Sequence, residues 1–406
     1  MQTKPKLRFK DKNGNAYPEW SQEKIGNLTK IYDGTHQTPK YTDKGIKFLS
    51  VENISDIQAS NKFISEEAYN SEFKVKPEVN DILMTRIGDI GTPALVNTNE
   101  QYAYYVSLAL IKCSRELFPN WLVQAILSNG FQKQLYKRTL HVAFPKKINK
   151  GEIGECIVNY PCIEEQEKIA GFLSKVDELI NECEGEVKDL EEQKKGLMQK
   201  IFSQQIRFKD SNNNPYPDWE EKKLKDIVSK IIDNRGKTPP LSKEGYPLLE
   251  IASMENNRIN YNKIAKYVND DTYKSFFRGY IEKGDVLFST VGFYAGEVSY
   301  YNQKLNCVIA QNIVGLRFNA SSSLFMTYLL SEPKNKKRIK SIEMNQAQPS
   351  IKVTQLTELT FLVPCIEEQE KIAKVLSKMD ELIEEKKALL SDRQQFKKGL
   401  LQQMFV

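Results

Sequence analysis

Histidine and cysteine, from which most metal centres and many nucleophilic sites are built, are scarce in this chain. Its 406 residues include two histidines and six cysteines, and no two cysteines stand in a C-x-x-C spacing. A zinc site is therefore not expected. The cysteines are predicted to be reduced and to serve as small apolar residues.

Long apolar runs are also missing. The N-terminus, MQTKPKLRFKDKNG, has no apolar stretch of signal-peptide length, and no stretch approaches 18 apolar residues. We therefore expect a cytoplasmic protein with no membrane partner. The length predicts two or three domains.

Enzyme signatures are incomplete. The segment DNRGKT ends like a phosphate-binding loop, but Ile231 stands where the first glycine of that motif belongs. With two histidines and no reactive-cysteine context, autonomous catalysis is not expected. The sequence thus predicts a non-catalytic chain.

The net charge of +6 is unevenly distributed. Residues 162–202 carry a net charge of −5 and residues 365–405 a net charge of zero, so the remainder holds about +11. Basic charge on the remaining segments is expected if they face a polyanion. A pI near 8.7 also occurs in proteins that touch no nucleic acid, so charge alone leaves both readings open.

The sequence contains an internal duplication. The ten residues PCIEEQEKIA occur at 161–170 and again at 364–373, and each copy runs on to a matching LSK-x-DELI segment. A second repeat opens each half, RFKDKNGNAYPEW at 8–20 and RFKDSNNNPYPDW at 207–219. A period near 200 residues excludes an array of short solenoid units.

Each decapeptide begins a long predicted helix. Proline suits the first helical turn, and the glutamates after it suit the positive end of the helix dipole. Apolar residues then follow in alternating steps of four and three, the pattern of a coiled-coil seam. Each helix would span roughly 60 Å. The predicted seam consists of Ile169, Leu173, Val176, Ile180, Val187, Leu190, Ile372, Leu376, Met379, Ile383 and Leu390.

Charged residues interrupt this seam at Lys194 in the first copy and at Lys386, Arg393 and Lys397 in the second. In the second copy Leu382, Leu389 and Phe396 form a neighbouring stripe. A long helix cannot bury a seam against itself, so an antiparallel coiled coil between the two helices is expected. The alternative is that each helix packs on its own globular half.

Between the helices, short β-branched and aromatic runs alternate with turn signals and helical segments, which predicts an α+β fold. We predict a first variable domain at 1–159, a central helix at 160–205, a second variable domain at 206–362 and a C-terminal helix at 363–406. The two domains would be pseudo-repeats separated by the long antiparallel helices.

Polar loops at matching places in the two halves are candidates for DNA contact, because Lys and Arg can bind phosphates and Gln and Asn can read base edges. The alternative is ordinary solvated loops. The candidates are Thr35, His36, Gln37, Thr38, Lys40, Arg86, Lys146 and Lys147 in the first half, and Arg235, Lys237, Thr238, Thr290, Gln346, Gln348 and Ser350 in the second.

This layout resembles the specificity subunit of a type I restriction–modification enzyme. The resemblance covers the whole chain and is carried by the two helix openings, the Thr-Pro loops, the D-I-L and D-V-L strands, and QPSI at 348–351. It implies that each variable domain reads one half of a split target in double-stranded DNA. It also implies that the helices fix the gap between the halves, about one turn or roughly 34 Å centre to centre, and dock two methyltransferase subunits.

Within such a complex the S-adenosylmethionine, ATP and Mg²⁺ would belong to the methyltransferase and motor-nuclease subunits. The Gln-x-x-Ile pattern is intact in the second half alone. The first half has HVAFPKKINK at the corresponding place. Divergent halves imply an asymmetric target. Three other readings stay open: a free-standing bipartite DNA-binding regulator, an enzyme with hidden activity, and a coiled-coil scaffold without a nucleic-acid role.

Overall fold

The computed structural model describes residues 5–303, 305–342 and 349–405. The chain forms two compact units, one made of Met1–Gly185 with Ala388–Val406 and the other of Glu186–Lys387. Each unit contains one α+β domain, which we call a head, together with the beginning of one long helix and the end of the other. The long helices fall inside the segments 160–205 and 363–406, but each is shared between the two units.

The first head has nine strands and five short helices before the first long helix. Its strands are β1 (Ser21–Lys24), β2 (Thr29–Asp33), β3 (Ile46–Leu49), β4 (Phe63–Ile64), β5 (Ile82–Ile87), β6 (Asp89–Leu95), β7 (Tyr102–Tyr104), β8 (Leu108–Cys113) and β9 (Ile157–Tyr160). Its helices are α1 (Ile25–Leu28), α2 (Glu66–Glu72), α3 (Pro119–Leu127), α4 (Asn129–Arg138) and α5 (Lys150–Gly154), and the long helix is α6 (Ile163–Phe202).

The second head repeats this order with one extra hairpin. Its strands are β10 (Glu220–Lys223), β11 (Val228–Asp233), β12 (Tyr246–Leu249), β13 (Met254–Glu255), β14 (Arg258–Ile259), β15 (Tyr267–Val268), β16 (Val286–Ser289), β17 (Val298–Tyr300), β18 (Val308–Ile309), β19 (Ile313–Phe318) and β20 (Thr360–Val363). Its helices are α7 (Leu224–Ile227), α8 (Asp270–Phe276), α9 (Ser323–Ser331), α10 (Pro333–Ser341) and α11 (Val353–Glu358), and the long helix is α12 (Ile366–Met404).

Sheet topology is the same in the two heads. A four-stranded antiparallel sheet has the order β2-β8-β5-β6 in the first head and β11-β19-β16-β17 in the second. A three-stranded sheet has the order β4-β3-β7 and β15-β12-β18, with one parallel pair in each. The prediction of two pseudo-repeated α+β domains with long helices is confirmed.

The central strand β5 is buried on both faces, which explains why it begins with three successive apolar residues. Ile82 and Met84 pack into a cluster with Trp121 of α3 and the start of α6, whereas Leu83 points to the opposite cluster around Leu49. Alternate residues of a strand face opposite sides of a sheet. Each head therefore has one core that continues into the long helices and one that lies under its loops.

Antiparallel contacts between the long helices are present within each unit. In the first, Lys397 pairs with Asp177, and Arg393 donates to the carbonyl oxygen of Leu179 at 2.6 Å. In the second, Lys386 pairs with Glu186 at 2.7 Å. Eight of the predicted seam residues are buried, and Leu190, Met379 and Leu390 are half-buried. The helices also pack on the heads, so the two packing modes weighed from sequence occur together.

Three of the charged interruptions of the seam form ion pairs across it, namely the pair of Lys386 with Glu186 and two pairs that match between the units. Lys194 binds Asp380, which also accepts a hydrogen bond from Tyr328 at 2.6 Å. Lys397 binds Asp177 at the matching place of the other unit. A buried ion pair has good geometry in one helix register and loses it in others. These pairs thus specify the antiparallel register.

The repeated decapeptide joins each long helix to the opening repeat of its unit. Glu165 is fully buried and accepts hydrogen bonds from Arg8 at 2.7 and 3.0 Å and from Trp20 at 3.3 Å. Lys168 donates to the backbone oxygen of Lys10 at 2.8 Å. Because the two repeats contact one another, they have to recur together.

The second unit has the same contacts. Glu368, also fully buried, accepts from Arg207 twice at 2.9 Å and from Trp219 at 3.1 Å. Lys371 donates to the backbone oxygen of Lys209 at 2.6 Å. We call the two groupings Arg8–Glu165–Trp20 and Arg207–Glu368–Trp219 the Glu–Arg–Trp locks.

Candidate nucleic-acid interface

Three loops meet at the end of β5 in the first head. The segment after α4 is fastened to the strand end, since Ile148 donates to the backbone oxygen of Arg86 at 3.0 Å and Gly88 to that of Lys146 at 2.8 Å. The Thr-Pro loop joins them through Thr35, whose oxygen accepts from the amide of Val106 at 2.9 Å. The sequence-predicted residues of this head are thereby brought together.

The second head repeats the two backbone links at the end of β16, whereas its Thr-Pro loop is attached through side chains. Ile351 donates to the oxygen of Thr290 at 2.8 Å, and Gly292 to that of Pro349 at 2.9 Å. Thr238 of the Thr-Pro loop donates to the side-chain oxygen of Gln311 at 3.2 Å. The backbone frame of the candidate site is therefore duplicated, while the side chains on it differ.

Arg86 and Thr290 occupy equivalent positions, and neither is a surface residue. Arg86 is 6% exposed and binds Asp33, and its Nε donates to the oxygen of Ile148 at 3.0 Å. Thr290 is fully buried, and its hydroxyl donates to the oxygen of Asn312 at 3.2 Å. In the free chain the polar atoms of both side chains hold the loops together, and direct DNA contact at these two positions stays a prediction.

The Thr-Pro loops match residue by residue in exposure. Pro39 and Pro239 are buried and anchor the loops. Among the sequence-predicted residues, Thr35, Arg235 and Ser350 are half-buried, and those exposed are His36, Gln37, Thr38, Lys40, Lys146, Lys147, Lys237 and Thr238. Gln346 and Gln348 lie outside the described residues.

Arg235 is already engaged within its own loop. Its Nε donates to Asp233 at 2.8 Å, and this hydrogen bond raises the pKa of Arg235 and lowers the pKa of the Asp233 carboxyl. The pair presents little net charge to a phosphate. In the second loop, Lys237 is the exposed cation.

A cleft of about 400 Å³ opens beside the second Thr-Pro loop. Its lining includes Thr238, Val291, Lys266, Gln311 and Asn312. The Oδ1 atom of Asn312 is buried and has no hydrogen-bond partner within the described part of the chain. The exposed amide of Gln311 can donate and accept at a cleft of this size, which suits the edge of a base.

Sequence reasoning missed Gln311 and Asn312. They stand between the two apolar runs of NCVIAQNIVGLRF, where a polar pair between strands marks a turn that can carry function. At the equivalent positions of the first head are Val106 and Ser107, and the backbone oxygen of Ser107 accepts from Arg86 as that of Asn312 accepts from Thr290. The two heads thus offer chemically different side chains at one place in the frame.

None of the helices described here combines the length and the apolar run needed to cross a lipid bilayer. Within residues 5–303, 305–342 and 349–405, no three His, Cys, Asp or Glu residues are grouped so as to hold a metal ion.

The sequence is similar to those of known proteins. Residues 216–391 match the family model described as the type I restriction modification DNA specificity domain. A putative type I restriction enzyme MjaX specificity subunit from Methanocaldococcus jannaschii is 26% identical over 96% of this chain and 93% of its own. The MjaVIII specificity subunit of the same organism is 25% identical over 99% and 96%. Residues 216–391 therefore belong to the type I specificity-domain family, and the chain is similar to type I restriction enzyme specificity subunits over almost its whole length.

Solved structures of specificity subunits share the fold. The S subunit from M. genitalium has a TM-score of 0.60 at 16% identity, covering 99% of each chain. A chain from a structure of type I R-M complex assembly has a TM-score of 0.57 at 16% identity, covering 96% of this chain and 98% of that one. Specificity subunits serve DNA recognition rather than catalysis, in agreement with the prediction of a non-catalytic chain.

Proposed function

We propose that each head of this specificity subunit reads one half of an asymmetric, two-part DNA target. The observation that carries the proposal is the duplicated frame with different side chains: Val106 and Ser107 in the first head stand where Gln311 and Asn312 stand in the second. A frame of this kind places both sets of loops in the same way on DNA. Different side chains then select different bases.

The long helices would set the gap between the half-sites and dock methyltransferase subunits. Support comes from apolar side chains that the helices leave exposed. Leu382, Leu389 and Phe396 are exposed at intervals of seven along α12, and Phe172 and Leu179 are exposed seven apart on α6. Residues seven apart lie on one face of a helix. An exposed apolar stripe on a charged helix suits a protein partner.

The complex would contain two methyltransferase subunits and, for cleavage, motor-nuclease subunits. The S-adenosylmethionine, ATP and Mg²⁺ would be bound by those partners. This chain would contribute the sequence preference.

Sequencing of methylated adenines in cells with and without the chain tests the proposal. An asymmetric two-part motif should lose its methylation when the chain is deleted, and a palindromic motif would contradict the assignment of one half to each head. Gln311→Ala should relax the sequence requirement in one half alone, and Thr38→Ala, on the other head, is its matched control. A chain that purifies alone would favour the free-standing regulator, whereas mass measurement of the purified complex counts the methyltransferase subunits.

A further inference from the structure

The three most exposed large apolar side chains of the described residues lie in the candidate interface. Val142 and Phe144 are 99% and 105% exposed, and Phe293 is 86% exposed. Soluble chains seldom leave a phenylalanine wholly in water, so a cluster of such residues indicates a binding surface. Both heads have one.

In the first head, Phe144 lies in a loop whose base is closed. Leu140 donates to the backbone oxygen of Lys147 at 2.8 Å, and Lys146 is held to Gly88, so residues 140–147 project from a fixed base. Lys146 and Lys147 follow Phe144 after one proline and are exposed. An apolar ring is thus presented beside two cations.

In the second head a different loop carries the aromatic residues. Phe293 and its neighbour Tyr294 are the central residues of a tight turn, closed by a hydrogen bond from Ala295 to the oxygen of Gly292 at 2.9 Å. Gly292 has a φ of +90°, which favours glycine at the start of this turn. The two rings meet edge to face, with centroids 5.1 Å apart.

This turn lies against the basic helix α10. A Cβ atom on Gly296 would be 3.9 Å from the Cγ of Lys340. The helix contains five cations and no acidic residue, and four of its cations are exposed: Lys334, Lys337, Arg338 and Lys340. An apolar tip beside a basic helix is complementary to DNA, whose charged backbone encloses stacked apolar bases.

We propose that Phe144 and Phe293 are wedges that enter between neighbouring base pairs, one at each half-site, and partly unstack them. The inference rests on the proposed function, because it places both wedges in the interface that reads DNA. Apolar side chains inserted at base steps kink a duplex, and stacking of bases on aromatic rings is largely independent of sequence. The wedges would therefore add affinity and distort the duplex, while the Thr-Pro loops and Gln311 supply base preference.

The two wedges lie at the same position of the backbone frame that the heads share, which supports this assignment. The wedge comes from the segment after α4 in the first head and from the turn after β16 in the second, yet these two segments are hydrogen-bonded to each other in both heads through Gly88 and Gly292. An exposed aromatic group recurs at one place although different loops provide it.

The test measures binding of the full chain, with any methyltransferase subunits that accompany it, to its methylation target and to an unrelated duplex. 2-Aminopurine at successive positions reports unstacking. We expect the unmodified chain to increase the fluorescence at one step of each half-site. Phe144→Ala should abolish one signal and Phe293→Ala the other, each with an affinity loss of roughly 5- to 100-fold. Phe144→Trp should retain the signal.

Matched controls remove exposed apolar side chains elsewhere in the same heads. Val79 precedes β5, at the end of the strand away from Gly88, and Leu305 is the control in the second head. Val79→Ala and Leu305→Ala should bind like the unmodified chain. Since all four side chains are exposed, thermal unfolding should be unchanged in every variant.

An abasic site at the wedge step should restore the affinity of Phe144→Ala, because the step no longer has to be unstacked. Unchanged affinity and fluorescence in Phe144→Ala and Phe293→Ala would refute the wedges and leave the proposed function standing. A loss reproduced by replacing thymine with uracil would refute them in favour of contact with the thymine methyl group. Binding of anionic vesicles in place of DNA would overturn them in favour of a membrane. An unmodified chain without target preference would instead refute the proposed function.

Discussion

Replacing Glu368 by glutamine should loosen the second unit locally. The change keeps the shape of the side chain but removes its charge and turns one acceptor oxygen into a donor. In the folded chain this carboxylate is fully buried and accepts hydrogen bonds from Arg207, Trp219 and the amide of Phe208 at 3.3 Å. No arrangement of a glutamine satisfies all of these donors.

The size of the effect follows from the contacts. Hydrogen bonds to a charged group contribute about 1.5–3 kcal/mol, and removing one partner of a fully buried ion pair costs about 3–5 kcal/mol. The side chain of Arg207 is 23% exposed, so water partly compensates it. The hydrogen bonds that Arg207 donates to Glu368 raise the pKa of Arg207, which therefore stays charged at every accessible pH. We expect a local loss of about 2–3 kcal/mol.

Hydrogen exchange with mass spectrometry resolves this loss by segment. Amides in 207–219 and in the first turns of α12 should exchange roughly 30- to 150-fold faster, which corresponds to the expected free energy. Amides in 8–20 should be unchanged. Glu165→Gln is the matched control and should give the opposite pattern. Equal acceleration in both units, or none in 207–219, would refute the idea that each lock acts within its own unit.

Three further results are expected. Lys194→Met leaves Asp380 buried without its cation and should destabilise the second unit by about 3 kcal/mol in urea unfolding, whereas a further change of Asp380 to leucine should recover most of that loss. Burial raises the pKa of the Cys156 thiol to about 11, so its alkylation at pH 8 should be at least about 100-fold slower than that of a free thiol and should accelerate as the pH rises toward 11. Lys146→Ala should reduce the slope of log affinity against log salt by about one, while Arg86→Lys should weaken binding without changing that slope.

The long helices could be predicted because their determinants are local. Proline, the glutamates after it and the heptad spacing all lie in one stretch of sequence. The partners of the charged seam residues could not be predicted in the same way. By heptad pattern alone, Lys194 is a charged residue at a position that should be apolar. It is recognised as a determinant of the helix register only when Asp380, 186 residues away, is known to face it.

The candidate interface was predictable as a set of loops and unpredictable as a set of side chains. The Thr-Pro loops were found from turn chemistry and from their recurrence. Whether an arginine near a strand end is a surface cation depends on its long-range neighbours. Arg86 is buried because Asp33 and the segment after α4 converge on it, and a single sequence has no local signal for that convergence.

The identical decapeptides do not require two identical partners. Glu165 and Gln166 are buried, and the side chain of Gln166 bonds Phe118 at 2.8 Å and Pro161 at 2.9 Å. Lys168 is directed to the opening repeat. Internal contacts therefore account for most of the identical residues in the two decapeptides, since each of the two units needs its own Glu–Arg–Trp lock. The case for partner subunits has to rest on what the locks leave exposed, namely the apolar stripe containing Leu382 and Phe396. Because the locks and the seam pairs fix each unit independently of the loops, the loops can differ between the heads without disturbing the frame that presents them.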